Sequence, residues 1–448
     1  VNTSTISHSN AASTVRWVVA IAAISLIFDG YDLVVFGTIV STLLSDPSQL
    51  GQLDEATAGL LGSYALLGVM VGALATGAIG DYIGRRKTMI TGIIWFSVGM
   101  GLTALAADTL WFGILRFATG MGVGALVATA GAVVAEFAPK HRRNYYNAIV
   151  YSGVPAGGVL ASLLAMVLSE AIGWRGLFLI GALPLLFLLP MAWSKLPESP
   201  QWLLSRGRVD EARALAARTG MQLELPNDAE AGQVKAERAG FAALATKRYA
   251  LPTALLGMMS FAGLLLTYGL NTWMPEIMQQ AGYGKSHSLL FLLVLNLAAV
   301  FGGLLASVAA DRVGPKQVVA LTFFLAALAM VLMTLKLPLV LLLALVAVAG
   351  VGTIGTQVLI YGFVSNYYHS AARGAGVAWC AGFGRLGGIF GPLLGGLLLS
   401  AGVSPGTAFY VFAAVAIVGT LVTACVPLAR SATPRSTQKV LAVAGTGE

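Results

Sequence analysis

A chain of 448 residues that is 57% hydrophobic and only 10% charged, with a mean hydropathy of +0.82, is excluded from the ordinary soluble domains, in which about a quarter of residues are charged. It reads as a polytopic membrane protein. The net charge of +8 is explained by the loops and needs no nucleic acid, and the two cysteines, Cys380 and Cys425, lie in late apolar segments that say nothing of disulfides or metals.

The polar start, VNTSTISHSNAASTV, lacks a basic n-region and no small-residue cleavage site follows the first apolar run. Residues 1–16 are therefore expected to be a disordered tail ahead of a retained first span. Apolar runs of roughly 20 residues, enough to cross a ~30 Å hydrocarbon core, are predicted at 18–43, 58–79, 88–106, 109–136, 146–169 and 175–194. Six more are predicted at 250–279, 288–310, 317–336, 338–361, 372–400 and 406–428. The fold class expected is all-α: twelve transmembrane helices, with both termini on one side.

Charge decides which side, because cytoplasmic loops collect Lys and Arg. Of the 27 basic residues, 22 fall on the face that carries both termini, and only Arg175, Lys285 and Lys336 fall on the other. Both termini are thus expected to be cytoplasmic. Arg116 and Arg385 remain, inside predicted spans.

The chain repeats itself at a spacing of 230 residues. Asp81 and Gly84 in GDYIGRRK overlay Asp311 and Gly314 in ADRVGPKQ, Arg143 overlays Arg373, and Gly157-Gly158 overlays Gly387-Gly388. Two six-span halves, 17–194 and 250–428, joined by a charged linker, 195–249, and followed by a tail, 429–448, are the parallel-repeat plan of a secondary transporter. The linker carries EARALAART, read as a short surface helix, and no chemistry is assigned to it.

These residues carry a resemblance. GDYIGRRK resembles the D-x-x-G-R-R/K loop of the major facilitator superfamily, with ADRVGPKQ its weaker echo, and PESPQWLL at 197–204 is similar to a signature of the sugar-transporter-like branch. DGYDLVVFG in the first span resembles the aromatic acid:proton symporters, which import benzoate, hydroxybenzoates, protocatechuate, gentisate and related ring acids. The span-one motif is shared in part with phosphate and other organic-acid symporters. The resemblance implies a multi-pass protein of the cytoplasmic (inner) membrane, working as a monomer in the lipid bilayer. Its partners would be a small aromatic carboxylate and protons, with the proton as coupling ion and no other cofactor.

Asp29 and Asp32, three residues apart, are neighbours on one face of a helix. Each carboxylate near the midplane costs ~2.5 to 3.5 kcal/mol on insertion scales, so both must face water, find partners or take up a proton. Burial and a like-charged neighbour favour the neutral carboxyl, which makes the pair candidates for proton coupling. A purely structural pair, capping a kink at Gly30 or bridging to Arg116, is the alternative. His8, His141, His287 and His369 all fall in termini or loops and offer no rival.

Arg385, in GFGRLGGIFGP, is the candidate for the substrate carboxylate, because guanidinium offers a planar fork. Gly384, Gly387 and Gly388 beside it leave room for a ligand or a close helix. Its alternative role is counter-ion to Asp29 or Asp32. Arg116 resembles a span-four arginine common among proton-linked members, with coupling, architecture or substrate contact all open. A ring acid also needs an apolar slot with stacking faces. Tyr31, Phe36, Tyr151, Tyr268, Trp273, Tyr361, Trp379 and Phe383 could supply it, with Tyr31, Tyr361, Trp379 and Phe383 singled out. A cytoplasmic latch is expected from Asp81, Gly84, Arg85, Arg86, Glu136 and Arg143, echoed by Asp311 and Arg373; topology signalling alone is the bland reading.

Moving an anion into a negative interior costs ~2.3 kcal/mol per 100 mV, so accumulation needs a compensating cation. One proton neutralises the transfer and two drive it electrically. A symporter or exporter of another small anion stays open, as does, more remotely, a transport-like receptor. No nucleophile-base constellation accompanies the aspartates, so no enzyme is expected.

Overall fold

The computed structural model describes residues 3–139, 142–219, 244–246, 249–335, 337–368 and 370–427. Helix is the regular structure among them, as a bilayer demands when each segment must satisfy its own backbone groups. The N-terminal half holds α1 (Thr3–Ser45), α2 (Glu55–Ile83), α3 (Arg85–Ala104), α4 (Thr109–Phe137), α5 (Arg143–Tyr151), α6 (Gly153–Gly181) and α7 (Pro184–Lys195). Two short linker helices follow, α8 (Pro200–Ser205) and α9 (Val209–Thr219), the latter covering EARALAART. The C-terminal half holds α10 (Ala250–Gln280), α11 (Lys285–Val313), α12 (Pro315–Leu332), α13 (Leu339–Gly350), α14 (Thr356–Tyr367), α15 (Ser370–Ser400) and α16 (Pro405–Cys425). Among the described residues, ten helical stretches are long and apolar enough to cross a membrane.

Three elements differ from expectation. Helix α1 begins at Thr3, inside the stretch expected to be a disordered tail, because Ser, Thr, Ala and Asn there carry no breaker to stop a helix propagating back from the apolar run. The spans predicted at 146–169 and 175–194 fall in one 51-residue helical stretch, Tyr145–Lys195. It bends at Gly173, whose φ of 62° and ψ of −176° suit only glycine. The span predicted at 338–361 lies in one helical stretch, Leu339–Tyr367, and within it α13 and α14 are joined by a π-helical turn, Val351–Gly355. The tail 429–448 lies outside the described residues.

The repeat is visible in the backbone. Gly84 (φ 100°, ψ 156°) separates α2 from α3, and Gly314 (φ 106°, ψ 139°) separates α11 from α12. Each donates its N–H to the carbonyl four residues earlier, Gly80 and Ala310. The main crossings repeat as well. A Cβ at Gly30 would land on the Val154 carbonyl and one at Gly157 on the Ile27 carbonyl, so α1 and α6 touch backbone to backbone. Gly387 and Gly391 stand in the same way against the carbonyls of Phe261 and Leu265, joining α15 to α10. With no hydrophobic drive between helices in lipid, such close van der Waals approach holds the bundle.

The halves meet on the side away from the linker. Gly37 of α1 packs on the Asn271 carbonyl of α10, and Gly59 of α2 packs on Pro392 and Gly396 of α15. Ser63 Oγ donates to the Ile389 carbonyl at 2.7 Å, and Gln279 Nε2 donates to Ser41 Oγ at 2.8 Å. Towards the linker side, Gly362 and Gly382 have nothing within 4 Å of where a Cβ would stand. Arg175, an exception to the charge asymmetry, is consumed on the far side. Its guanidinium donates to Gln49 Oε1 (3.1 Å) and to the carbonyls of Gln49 (3.3 Å) and Ala106 (3.2 Å), tying two loops together.

Candidate functional site

Helix α1 brings Asp29 and Asp32 to the middle of the bundle, both buried, and the structure gives them different surroundings. Asp32 is ion-paired to Arg116 of α4, whose Nη1 also stands 3.4 Å from the Asp32 carbonyl. The guanidinium lies over the rings of Phe36 at 5.2 Å and Phe178 at 5.8 Å. Arg116 is 1% exposed and enclosed within the N-terminal half. Among the roles left open for Arg116, its geometry is that of a counter-ion to Asp32. Asp29 has no such partner, and its Oδ1 is buried without a hydrogen bond among the described residues. The charges that act on it are those of Arg385 and Asp32.

Arg385, on α15, is half-buried and forms no hydrogen bond or ion pair among the described residues. Its charge acts on Asp29 and on the hydroxyls of Tyr151, Tyr268 and Tyr361, which belong to both halves. One turn before Tyr361 on α14, Gln357 Nε2 donates to Ser260 Oγ of α10 at 3.1 Å. This bond ties α14 to α10. The glycines around Arg385 serve the close helix and leave no ligand space. Gly384 abuts the Ser260 side chain, Gly387 the Phe261 carbonyl and Gly388 the Tyr268 ring.

Other candidates lie elsewhere. Tyr31 is fully buried, its hydroxyl donating to the Leu177 carbonyl at 2.7 Å, so it braces α1 on α6. Phe383 stands two residues before Arg385 and hence on the opposite face of α15. It stacks on Trp379 (5.4 Å, 21°), whose Nε1 donates to the Thr253 carbonyl at 3.1 Å and which is 39% exposed. Trp273 is a buried strut, donating to the Pro392 carbonyl at 2.7 Å. Tyr151 and Tyr268 belonged to the wider aromatic set, and nothing in the sequence ranks them above Trp379 or Phe383.

At the linker face, Arg85 Nε pairs with Glu136 Oε1 at 3.1 Å. The side chains of Asp81, Arg143 and Arg373 lie outside the described residues, and Asp311 is exposed. Sequence reasoning missed Glu198, although its signal, the acid of PESPQWLL, was on view. One oxygen, Oε1, accepts from the amides of Arg85 (2.7 Å), Arg86 (3.1 Å) and Ser199 (3.1 Å). Helix α3 opens with Arg85, Arg86 and Lys87 at its positive dipole end, a like-charge clash that this carboxylate offsets. Gly84 fits beneath it, since a Cβ there would meet the Glu198 carboxylate.

Two repeated helical halves that meet on buried charges define a membrane transporter and not an enzyme. A family model described as sugar (and other) transporter matches residues 18–430, and the chain belongs to that family. It is 34% identical over 399 residues to the gentisate transporter of Corynebacterium glutamicum, which covers 88% of this chain and 84% of the relative. It is 31% identical to the benzoate transport protein of Acinetobacter baylyi (86% and 83% covered) and 31% identical to the 4-hydroxybenzoate transporter PcaK of Pseudomonas putida (92% and 93%). Among solved structures, the inward-open xylose transporter XylE of E. coli superposes with a TM-score of 0.73 at 18% identity, covering 96% of this chain and 99% of that one. An inward-facing bacterial homologue of the lysosomal transporter Spinster gives 0.69 at 16% identity, covering 92% and 95%. Both show the fold of the major facilitator transporters.

Proposed function

We propose that this protein imports aromatic carboxylates of the benzoate, hydroxybenzoate, protocatechuate or gentisate type together with protons. The observation that carries the reading is Arg385, a half-buried guanidinium with no hydrogen bond or ion pair among the described residues, whose charge acts on Asp29. The substrate carboxylate and the Asp29 carboxylate compete for this one fork. Protonation of Asp29 removes the competitor, so the loaded carrier holds an anion and a proton together, and neither is favoured alone. Asp32, already ion-paired to Arg116, stays fixed and leaves Asp29 as the carboxyl that exchanges the proton. The phenols of Tyr151, Tyr268 and Tyr361 supply ring faces and hydroxyls for the aromatic body.

In this reading the twelve spans of the superfamily place the linker and both termini in the cytoplasm, and the protein works as a monomer in the inner membrane. The closed contacts away from the linker then correspond to an inward-facing state, and uptake proceeds by rocking the halves between two such states. The relatives named for gentisate, benzoate and 4-hydroxybenzoate support the substrate class. The test is uptake of labelled benzoate, hydroxybenzoates, gentisate and shikimate by cells expressing the chain, with and without a protonophore. Accumulation of the ring acids that collapses with the protonophore is expected. Accumulation that survives it, or a preference for non-aromatic shikimate, would overturn the reading.

A further inference from the structure

A second charged cavity lies outside the transport site, at the linker face of the N-terminal half. It measures about 730 Å³ and lies between the start of α3, the end of α7 and the linker helices α8 and α9. Its lining is strongly basic. Arg208 and Glu211 neutralise one another through a two-pronged pair at 2.7 and 2.6 Å. What remains is Arg86, Lys87, Lys195 and Arg218 against Glu198 alone, whose Oε1 is already engaged by three backbone amides. Lys87 and Arg218 have no hydrogen bond or ion pair among the described residues, and Arg86 Nε is buried there without an acceptor. Among the described residues, cationic donors thus outnumber the carboxylates that face this space.

The rim of this cavity carries two tryptophans, Trp17 and Trp193. Lys195 Nζ sits 5.6 Å over the ring of Trp17, and Trp193, whose carbonyl accepts from Arg86 at 2.6 Å, is 63% exposed. Tryptophans at the end of an apolar span are those that favour the interface between headgroups and acyl chains. From the rim an exposed apolar strip, Trp193, Phe187, Leu186 and Leu183, runs along α7 and back towards α6. A compact anion with acyl chains attached fits both parts, the charge among Arg86, Lys87, Lys195 and Arg218 and the chains against the strip.

We propose that this cavity binds the phosphate headgroup of an anionic phospholipid and so fastens the linker helices to the N-terminal half. Free phosphate shares the headgroup chemistry but has no use for the strip. The experiment takes the full chain, purified in detergent and exchanged into mixed micelles of phosphatidylglycerol, phosphatidylcholine or no lipid with inorganic phosphate. Retained lipid is read by native mass spectrometry and melting by thermal shift. Phosphatidylglycerol should be retained over phosphatidylcholine and should raise the melting temperature. The triple variant K87Q/K195Q/R218Q should lose at least about tenfold in retention, given what each Lys or Arg adds near an anionic lipid surface. The charge-keeping variant K87R/K195R should retain the lipid. Equal retention of the two lipids, or wild-type retention by the triple variant with an unchanged elution profile, overturns the proposal. Equal protection by inorganic phosphate overturns the lipid assignment.

Discussion

Arg385 and Arg116 are both arginines inside spans, yet replacing them should have different consequences. Arg385→Ala should lower affinity for the ring acid at least about tenfold, the scale of truncating one partner of a buried charge pair. Arg385→Lys should fall between, keeping charge and losing the fork. Binding of the labelled acid to protein in detergent checks this, with the neutral amide of the same acid as control; unchanged affinity in a folded Arg385→Ala protein would make the arginine structural. Asp29→Asn should leave the protein folded and able to bind and exchange substrate while abolishing proton-driven accumulation. Asp32→Asn should instead cost stability, about 3 to 5 kcal/mol if Arg116 is left buried and uncompensated, seen as a drop in melting temperature relative to Asp29→Asn. That two carboxyls and two guanidiniums lie within the membrane was legible from the sequence, because such residues stand out against apolar spans. Their pairing was not, since it depends on which helices touch. That the charge of Arg385 acts on Tyr151 and Tyr268 was also hidden. Lipid is as apolar as a helix interface, so the pattern of aromatics on α15 does not reveal which face looks inward.

At the scale of elements, the α2–Gly84–α3 corner and the linker act as one unit. Gly84→Ala places a side chain at φ 100° and against the Glu198 carboxylate, and strain of about 1 to 3 kcal/mol is expected at such a backbone position. Thermal unfolding should register it, whereas Gly282→Ala, at a similar φ of 97° but in open space, should cost less. Glu198→Gln should slow turnover, because the acid that offsets Arg85, Arg86 and Lys87 at the head of α3 is lost, while ligand affinity in detergent stays as in the wild type. A large loss of affinity with unchanged turnover would show that this corner belongs to the binding site. The 230-residue repeat disclosed the two glycine corners in advance, because a positive φ demands glycine wherever the turn recurs. It gave no hint of Glu198, because the residue at the same offset in the second half is Leu428 and not an acid. The π-helical turn at 351–355 was equally hidden, since Gly350, Gly352 and Gly355 are compatible with an unbroken helix until their neighbours are known.

At the scale of the molecule, Ser41 and Gln279 join the halves on the side away from the linker, and transport requires that contact to open. In a background without Cys380 and Cys425, Ser41→Cys with Gln279→Cys should be linked by a short bifunctional thiol reagent. Linked protein should be inactive in uptake, and each single variant treated alike should remain active; uptake that persists in fully linked protein would mean that this side need not part. The matching glycine corners at Gly84 and Gly314 were readable from the 230-residue repeat. Which side is closed was not, because one sequence must serve both states. The reach of Glu198 from the linker to the start of α3 has a further consequence for how the chain can be divided. A gene cut between residues 195 and 198 would strip the first fragment of its own cap, whereas a cut beyond Thr219 would leave α8, α9 and Glu198 with the fragment they brace. Co-expressed pieces severed at the later point should therefore reassemble into a working carrier, and those severed at the earlier point should not.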